Sequence, residues 1–171
     1  FGTLEITPVA ATVTVTITEH SGTATYDGTE HTASGYDVKI SSTLYTEADF
    51  TFSGEATVSG TDAGTYEMEL SPEDFANISA NFADVEFVIV DGTLEITKRS
   101  VTLTSADDEK IYDGTALTND EVTVSGDGFV VGEGATYDVT GSQTEMGSSK
   151  NTFTYTLNEG TKEANYNITV V

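Results

Sequence analysis

The chain has 171 residues, 29 acids against six bases, a net charge of −23, and neither cysteine nor tryptophan. That charge argues against nucleic-acid binding, which needs basic side chains against phosphate. The missing thiols exclude a disulfide scaffold and any thiolate zinc or iron–sulfur site, and no apolar run approaches the ~20 residues of a membrane-spanning helix.

Hydrophobic residues make up 37% of the chain, and 16 glycines bring the total near that of an ordinary packed protein. Threonine, at 31 residues, dominates the composition. With Val, Ile, Tyr and Phe it favours strands, because branched and aromatic side chains fit a pleated surface.

In chain order, Gly2-Thr3-Leu4-Glu5-Ile6-Thr7 reads as a strand, and Val13-Thr14-Val15-Thr16-Ile17 alternates with the period of two that a half-buried strand requires. Tyr26-Asp27-Gly28-Thr29 marks a turn, since Gly tolerates positive φ at no steric cost. Asp62-Ala63-Gly64-Thr65-Tyr66 has the Asp-x-Gly-x-Tyr pattern of a tyrosine corner, in which the phenol bonds back to nearby backbone. Ser71-Pro72-Glu73-Asp74 predicts a helical start of one or two turns, with Ser71 as N-cap and Pro72 at the first position. Val85 to Ile89, Thr93 to Thr97, Val101 to Leu103, Val122 to Val124 and Thr152 to Leu157 read as further strands. Asp91-Gly92, Asp113-Gly114 and Gly126-Asp127-Gly128 supply breaks between them.

The same words occur twice. Gly2 to Thr7 returns unchanged as Gly92 to Thr97. Val15-Thr16-Ile17-Thr18 answers Val101-Thr102-Leu103-Thr104, and Tyr26-Asp27-Gly28-Thr29 answers Tyr112-Asp113-Gly114-Thr115. Thr65 to Leu70 answers Thr152 to Leu157, and Ala80-Asn81-Phe82 answers Ala164-Asn165-Tyr166. Repeats of this length are small domains, not solenoid turns. The expected division is 1–7 as the last strand of a preceding repeat, 8–97 as a first β domain, and 98–171 as a second lacking its final strand. Phe1 is not an initiator, which points to a fragment or a processed chain. The first 97 residues carry 17 acids and one base, and the rest carry 12 and five. Lys98-Arg99 then reads as a solvated hinge. The expected fold class is all-β, two tandem Ig-like β-sandwich domains. The alternative is a pair of β-grasp-like modules with one short helix each.

These motifs in this order resemble the tandem YDG or MBG-type repeats of bacterial, often Gram-positive, cell-surface adhesin-like proteins. The resemblance covers nearly the whole chain, once per repeat. It implies an extracellular, non-catalytic module at the bacterial cell surface or cell wall, acting as a stalk or spacer whose partners are neighbouring repeats of the same polypeptide. The alternative is a binding module for host protein or glycan, for which Tyr36, Tyr45, Phe50 and Phe129 are the aromatic residues to check.

No enzyme is expected. His20 and His31 lie in no nucleophile or metal motif, and acid pairs carry little information in so acidic a chain. The two Tyr-Asp-Gly triplets read as hairpin turns with inward tyrosines. Asp107, Asp108 and Glu109 are the best calcium candidates, because hard cations want clustered oxygens, although the Asp-x-Asp-x-Asp-Gly loop is absent. Lys39, Lys110, Lys150 and Lys162 are candidates for isopeptide cross-links to asparagine. The second repeat stops at Val170-Val171 without its own Gly-Thr-Leu strand, while residues 1–7 carry a spare copy. An open sheet edge recruits a strand, so strand exchange between molecules through residues 1–7 is expected.

Overall fold

The structure, a computed structural model, describes all of residues 1–171. It separates into two compact units: one formed by residues 1–24 and 30–96, the other by residues 25–29 and 97–171. The division thus follows the sequence repeat except for residues 25–29 and Thr97, which fold with the second unit.

The first repeat carries β1 (Val13–Glu19), β2 (Gly22–Thr25), β3 (His31–Ser34), β4 (Tyr36–Ile40) and β5 (Phe50–Phe52). It continues with β6 (Thr57–Gly60), β7 (Gly64–Glu67), β8 (Phe75–Asn77), β9 (Val85–Val90) and β10 (Thr93–Thr97). The second carries β11 (Arg99–Ser105), β12 (Val122–Gly126), β13 (Ala135–Val139), β14 (Phe153–Leu157) and β15 (Tyr166–Val170). The only helical pieces are three single 3-10 turns, at Glu47–Asp49, Pro72–Asp74 and Glu163–Asn165. The protein is all-β, built from several small sheets that do not close into a barrel.

Each unit has the same three-stranded centre. In unit one the order is β4-β1-β9, and in unit two it is β12-β11-β15. The first pair is antiparallel, Val15 facing Ile40 and Val101 facing Gly126. The second is parallel, Val13 facing Val85 and Val101 facing Ile168. A parallel pair needs a long crossover, and in unit one the smaller sheets β3-β6 and β5-β8 occupy that crossover. The parallel centre is the mixed feature of the β-grasp alternative. The helix that alternative calls for is reduced to the Pro72–Asp74 turn, with Ser71 and Asp74 forming a reciprocal capping box.

Alternation places the core. In β1, Val13, Val15 and Ile17 are buried while the intervening threonines face outward. Tyr45, Phe50, Phe75 and Phe82 pack onto them with Met68 and Leu70. Phe75 is sandwiched between Phe52 and Phe87 at ring centroid distances of 4.9 and 5.5 Å. Tyr45 and Phe50 are therefore core residues, Tyr36 is half-buried against Phe52 and Phe75, and Phe129 packs on Tyr166. These four side chains do not make an exposed aromatic face. In unit two the buried hydrophobic residues are Val101, Leu103, Tyr166 and Tyr26.

Residues 1–8 belong to no strand and are fully exposed. Arg99 opens β11 and is not a free hinge residue: its Nε donates to Gly128 O (2.8 Å) and its Nη2 to Asp127 O (2.6 Å).

Candidate functional site: the Tyr-Asp-Gly loops

The two Tyr-Asp-Gly-Thr loops fold identically at short range. Asp27 Oδ1 accepts the backbone N–H of Thr29 (2.9 Å) and its hydroxyl (2.7 Å). Asp113 Oδ1 accepts from Thr115 at the same two distances. Gly28 and Gly114 take φ of 79° and 80°. This is an Asx turn closed by the Thr side chain, a conformation that the four residues specify by themselves.

Their tyrosines have opposite fates. Tyr26 is only 4% exposed. Its hydroxyl donates to Glu133 Oε1 at 2.5 Å, and its ring meets Tyr166 edge-on at 5.5 Å. Tyr166 donates to Glu133 Oε2 at 2.7 Å and accepts the Val130 N–H at 3.1 Å. One carboxylate thus binds two phenols, each hydrogen bond being charge-assisted. Gly28 completes the seat, because a Cβ there would stand 2.9 Å from Val130 Cγ1. Burial, together with the neighbouring Glu133 carboxylate, pushes the Tyr166 phenol up to about 12. The seat is formed wholly within unit two, although the loop that fills it is written in the first repeat.

Tyr112, by contrast, is 61% exposed, not turned inward as the sequence reading expects. Its turn is held in place by Lys110, whose Nζ reaches Asp113 Oδ1 (3.0 Å), Thr115 Oγ1 (2.6 Å) and Ala116 O (3.2 Å). The Thr115 hydrogen bonds and Lys110 bring the Asp113 carboxyl down to about 2.

The tyrosine-corner residues sit together. Tyr66 donates to Asp62 O at 2.9 Å, and its ring lies over Gly60, where a Cβ would be 2.4 Å away. Gly64 pairs with Ile96 at the edge of β7. In the second unit Phe153 opens β14 and meets Tyr137 edge-on at 6.2 Å. Asp107, Asp108 and Glu109 line a surface cavity of unit two, and no three His, Asp or Glu side chains converge in a metal-holding arrangement. His20 hydrogen-bonds Asp37 and the Ser34 carbonyl, which raise its pKa.

Sequence reasoning missed Glu19. It is buried, and its two oxygens accept the N–H groups of Leu70 (2.8 Å) and Gly92 (2.7 Å). Parity was the available signal, since Glu19 falls on the same face as Val13, Val15 and Ile17. It ties β1 to the two turns that lead into the Ser71 cap and β10.

Comparison with known families matches residues 12–98 to the MBG domain. No curated protein and no solved structure matches the chain.

Proposed function

We infer, from the fact that the chain belongs to the MBG domain family, that it is a non-catalytic spacer made of tandem repeats in a bacterial cell-surface, adhesin-like protein. The MBG domain is a surface-associated repeat module and not a known enzyme family. One observation carries the finer reading: residues 25–29, written in the first repeat, complete the fold of the second unit. A repeat that needs its predecessor's loop suits an array in series better than a free-standing binding domain. An acidic, cysteine-free surface supports an extracellular setting, where like-charged modules stay soluble and apart.

A glycan and extracellular-matrix array probed with the full chain tests this. The spacer reading expects no saturable binding above a buffer control. Saturable binding to one class of glycan or matrix protein would overturn it in favour of a host-binding module.

A further inference from the structure

The words Tyr-Asp-Gly-Thr close the same Asx turn twice, and a turn that its own residues specify has little freedom left to lose when it docks. One copy is docked. The Tyr26 N–H donates to Thr97 O at 2.9 Å, and the ring and hydroxyl enter the seat of unit two. That seat answers the motif part by part. Glu133, already holding Tyr166, accepts the phenol. The Tyr166 ring, backed by Phe129 at 5.1 Å, meets the tyrosine edge-on. Val130 packs where Gly28 carries no Cβ. The other copy offers the same parts to solvent. Tyr112 is 61% exposed, and Ile111 beside it 92%. Lys110 braces this turn through Asp113, Thr115 and Ala116 and leaves the ring out of the bracing. At Gly114 nothing lies within 4 Å of where a Cβ would stand, whereas Val130 fills that place at Gly28. The second turn is therefore built as the first is, without unit two using its ring.

We propose that the Tyr112–Thr115 loop is a docking plug, and that its partner is a protein surface of the Glu133–Tyr166 kind on another unit built like unit two: a carboxylate fixed by a phenol, with an aromatic edge and an aliphatic wall beside it. The observed seating of Tyr26 selects that partner, because the two loops share four residues and one backbone conformation. Docking buries the Tyr112 ring and gives its hydroxyl a charge-assisted bond. It leaves Asp113 and Thr115 bonded to each other, as Asp27 and Thr29 are in the seated copy. The plug fits such a seat wherever the second unit lies, on the same polypeptide or on another. The inference rests on the array reading for the presence of that unit, and adds to it the residues that make the joint.

The test uses full chains. The acceptor is an isotope-labelled Tyr26→Ala/Tyr112→Ala variant, whose seat has lost its own tyrosine and which carries no plug. The donor is the wild type, whose own seat is filled, so that Tyr112 is the one plug in solution. NMR titration is expected to shift the amide signals of Val130, Glu133 and Tyr166 in the acceptor, saturably below about 1 mM donor. Tyr112→Phe in the donor loses the bond to a charged acceptor and is expected to weaken binding by about tenfold, and Tyr112→Ala to abolish it. No shift up to about 1 mM donor would overturn the proposal, and so would shifts that Tyr112→Ala leaves intact. A second measurement does not depend on the folding of an acceptor with an emptied seat. Thr25→Ile with Glu30→Ala writes the residue order of 111–116 into the seated loop, and both side chains are exposed. The melting temperature is expected to stay within about 4 °C of the wild type. A larger fall would mean that the flanks of Tyr112 do not fit the seat, which also overturns the proposal. These readouts are protein on protein with no glycan present, so their failure leaves the spacer reading standing, and glycan binding on the array leaves the docking result untouched.

Discussion

The two units are built on one topology, yet they are unequally closed. Unit one buries twelve hydrophobic residues, among them Leu94 and Ile96 from its own last strand. Unit two buries four, and one of these is Tyr26 from the preceding repeat. The difference teaches that the boundaries of the written repeat and of the folded unit do not coincide. The same Tyr-Asp-Gly-Thr words make the same turn in both places, and only the presence of a Glu133–Tyr166 seat decides whether the tyrosine becomes core or stays in water.

The largest expected effect separates the two tyrosines. Tyr26→Ala removes a buried ring and leaves half of the Glu133 carboxylate without its donor, so it is expected to destabilise unit two by about 3–5 kcal/mol. Tyr112→Ala, at an exposed position, is expected to change stability by no more than about 0.5 kcal/mol. Urea titration of both variants measures this, and equal effects would break the comparison. Next come the two copies of the hexapeptide. Leu94→Ala opens a cavity in unit one and is expected to cost about 2–5 kcal/mol, whereas Leu4→Ala is expected to leave the unfolding midpoint of dilute protein unchanged.

A smaller effect falls on Glu19. Glu19→Gln keeps the shape but turns an amide donor toward one of the two N–H groups it now accepts. The expected cost is about 1–3 kcal/mol, confined to unit one, and readable as faster hydrogen exchange at Leu70 and Gly92. The smallest effects are those of pH. The Tyr166 phenol is raised to about 12, so the neutral form is the one that folding favours. Its contribution is whole below pH ~10 and is lost as pH rises toward 12. Asp113 is lowered to about 2 from an ordinary 3.8, so folding favours its carboxylate. That contribution is present above the ordinary value and fades as pH falls toward 2. Asp113→Asn is expected to flatten the acid limb slightly, and Tyr166→Phe the alkaline one, in thermal melts across pH.

Most of the strands were legible because period-two alternation and Asp-Gly breaks are local signals. The Val13 to Ile17 run becomes β1 with every second residue buried, and the Asp62 to Tyr66 pattern becomes a phenol bonded back to Asp62 O. The destination of Tyr26 was not legible. Its acceptor lies 107 residues away in a glycine-rich loop, and its local sequence is the same as that of Tyr112, so no local signal can tell them apart. The acids at Asp107 to Glu109 had composition in their favour as calcium ligands. Ligation needs convergence of side chains, and no three His, Asp or Glu side chains gather in that way in the structure. Lys98-Arg99 was read from charge alone, which hides that a guanidinium can satisfy backbone carbonyls, as Arg99 does at Asp127 and Gly128.

The central claim is that a loop written in one repeat is a structural part of the next unit. Hydrogen exchange of full-length Tyr26→Ala, compared residue by residue with the wild type, tests it most directly. The account predicts faster exchange at Phe129 to Glu133 and along Tyr166 to Val170, with β1, β4 and β9 unchanged. Unchanged protection throughout unit two, or loss of protection confined to β1, β4 and β9, would contradict it.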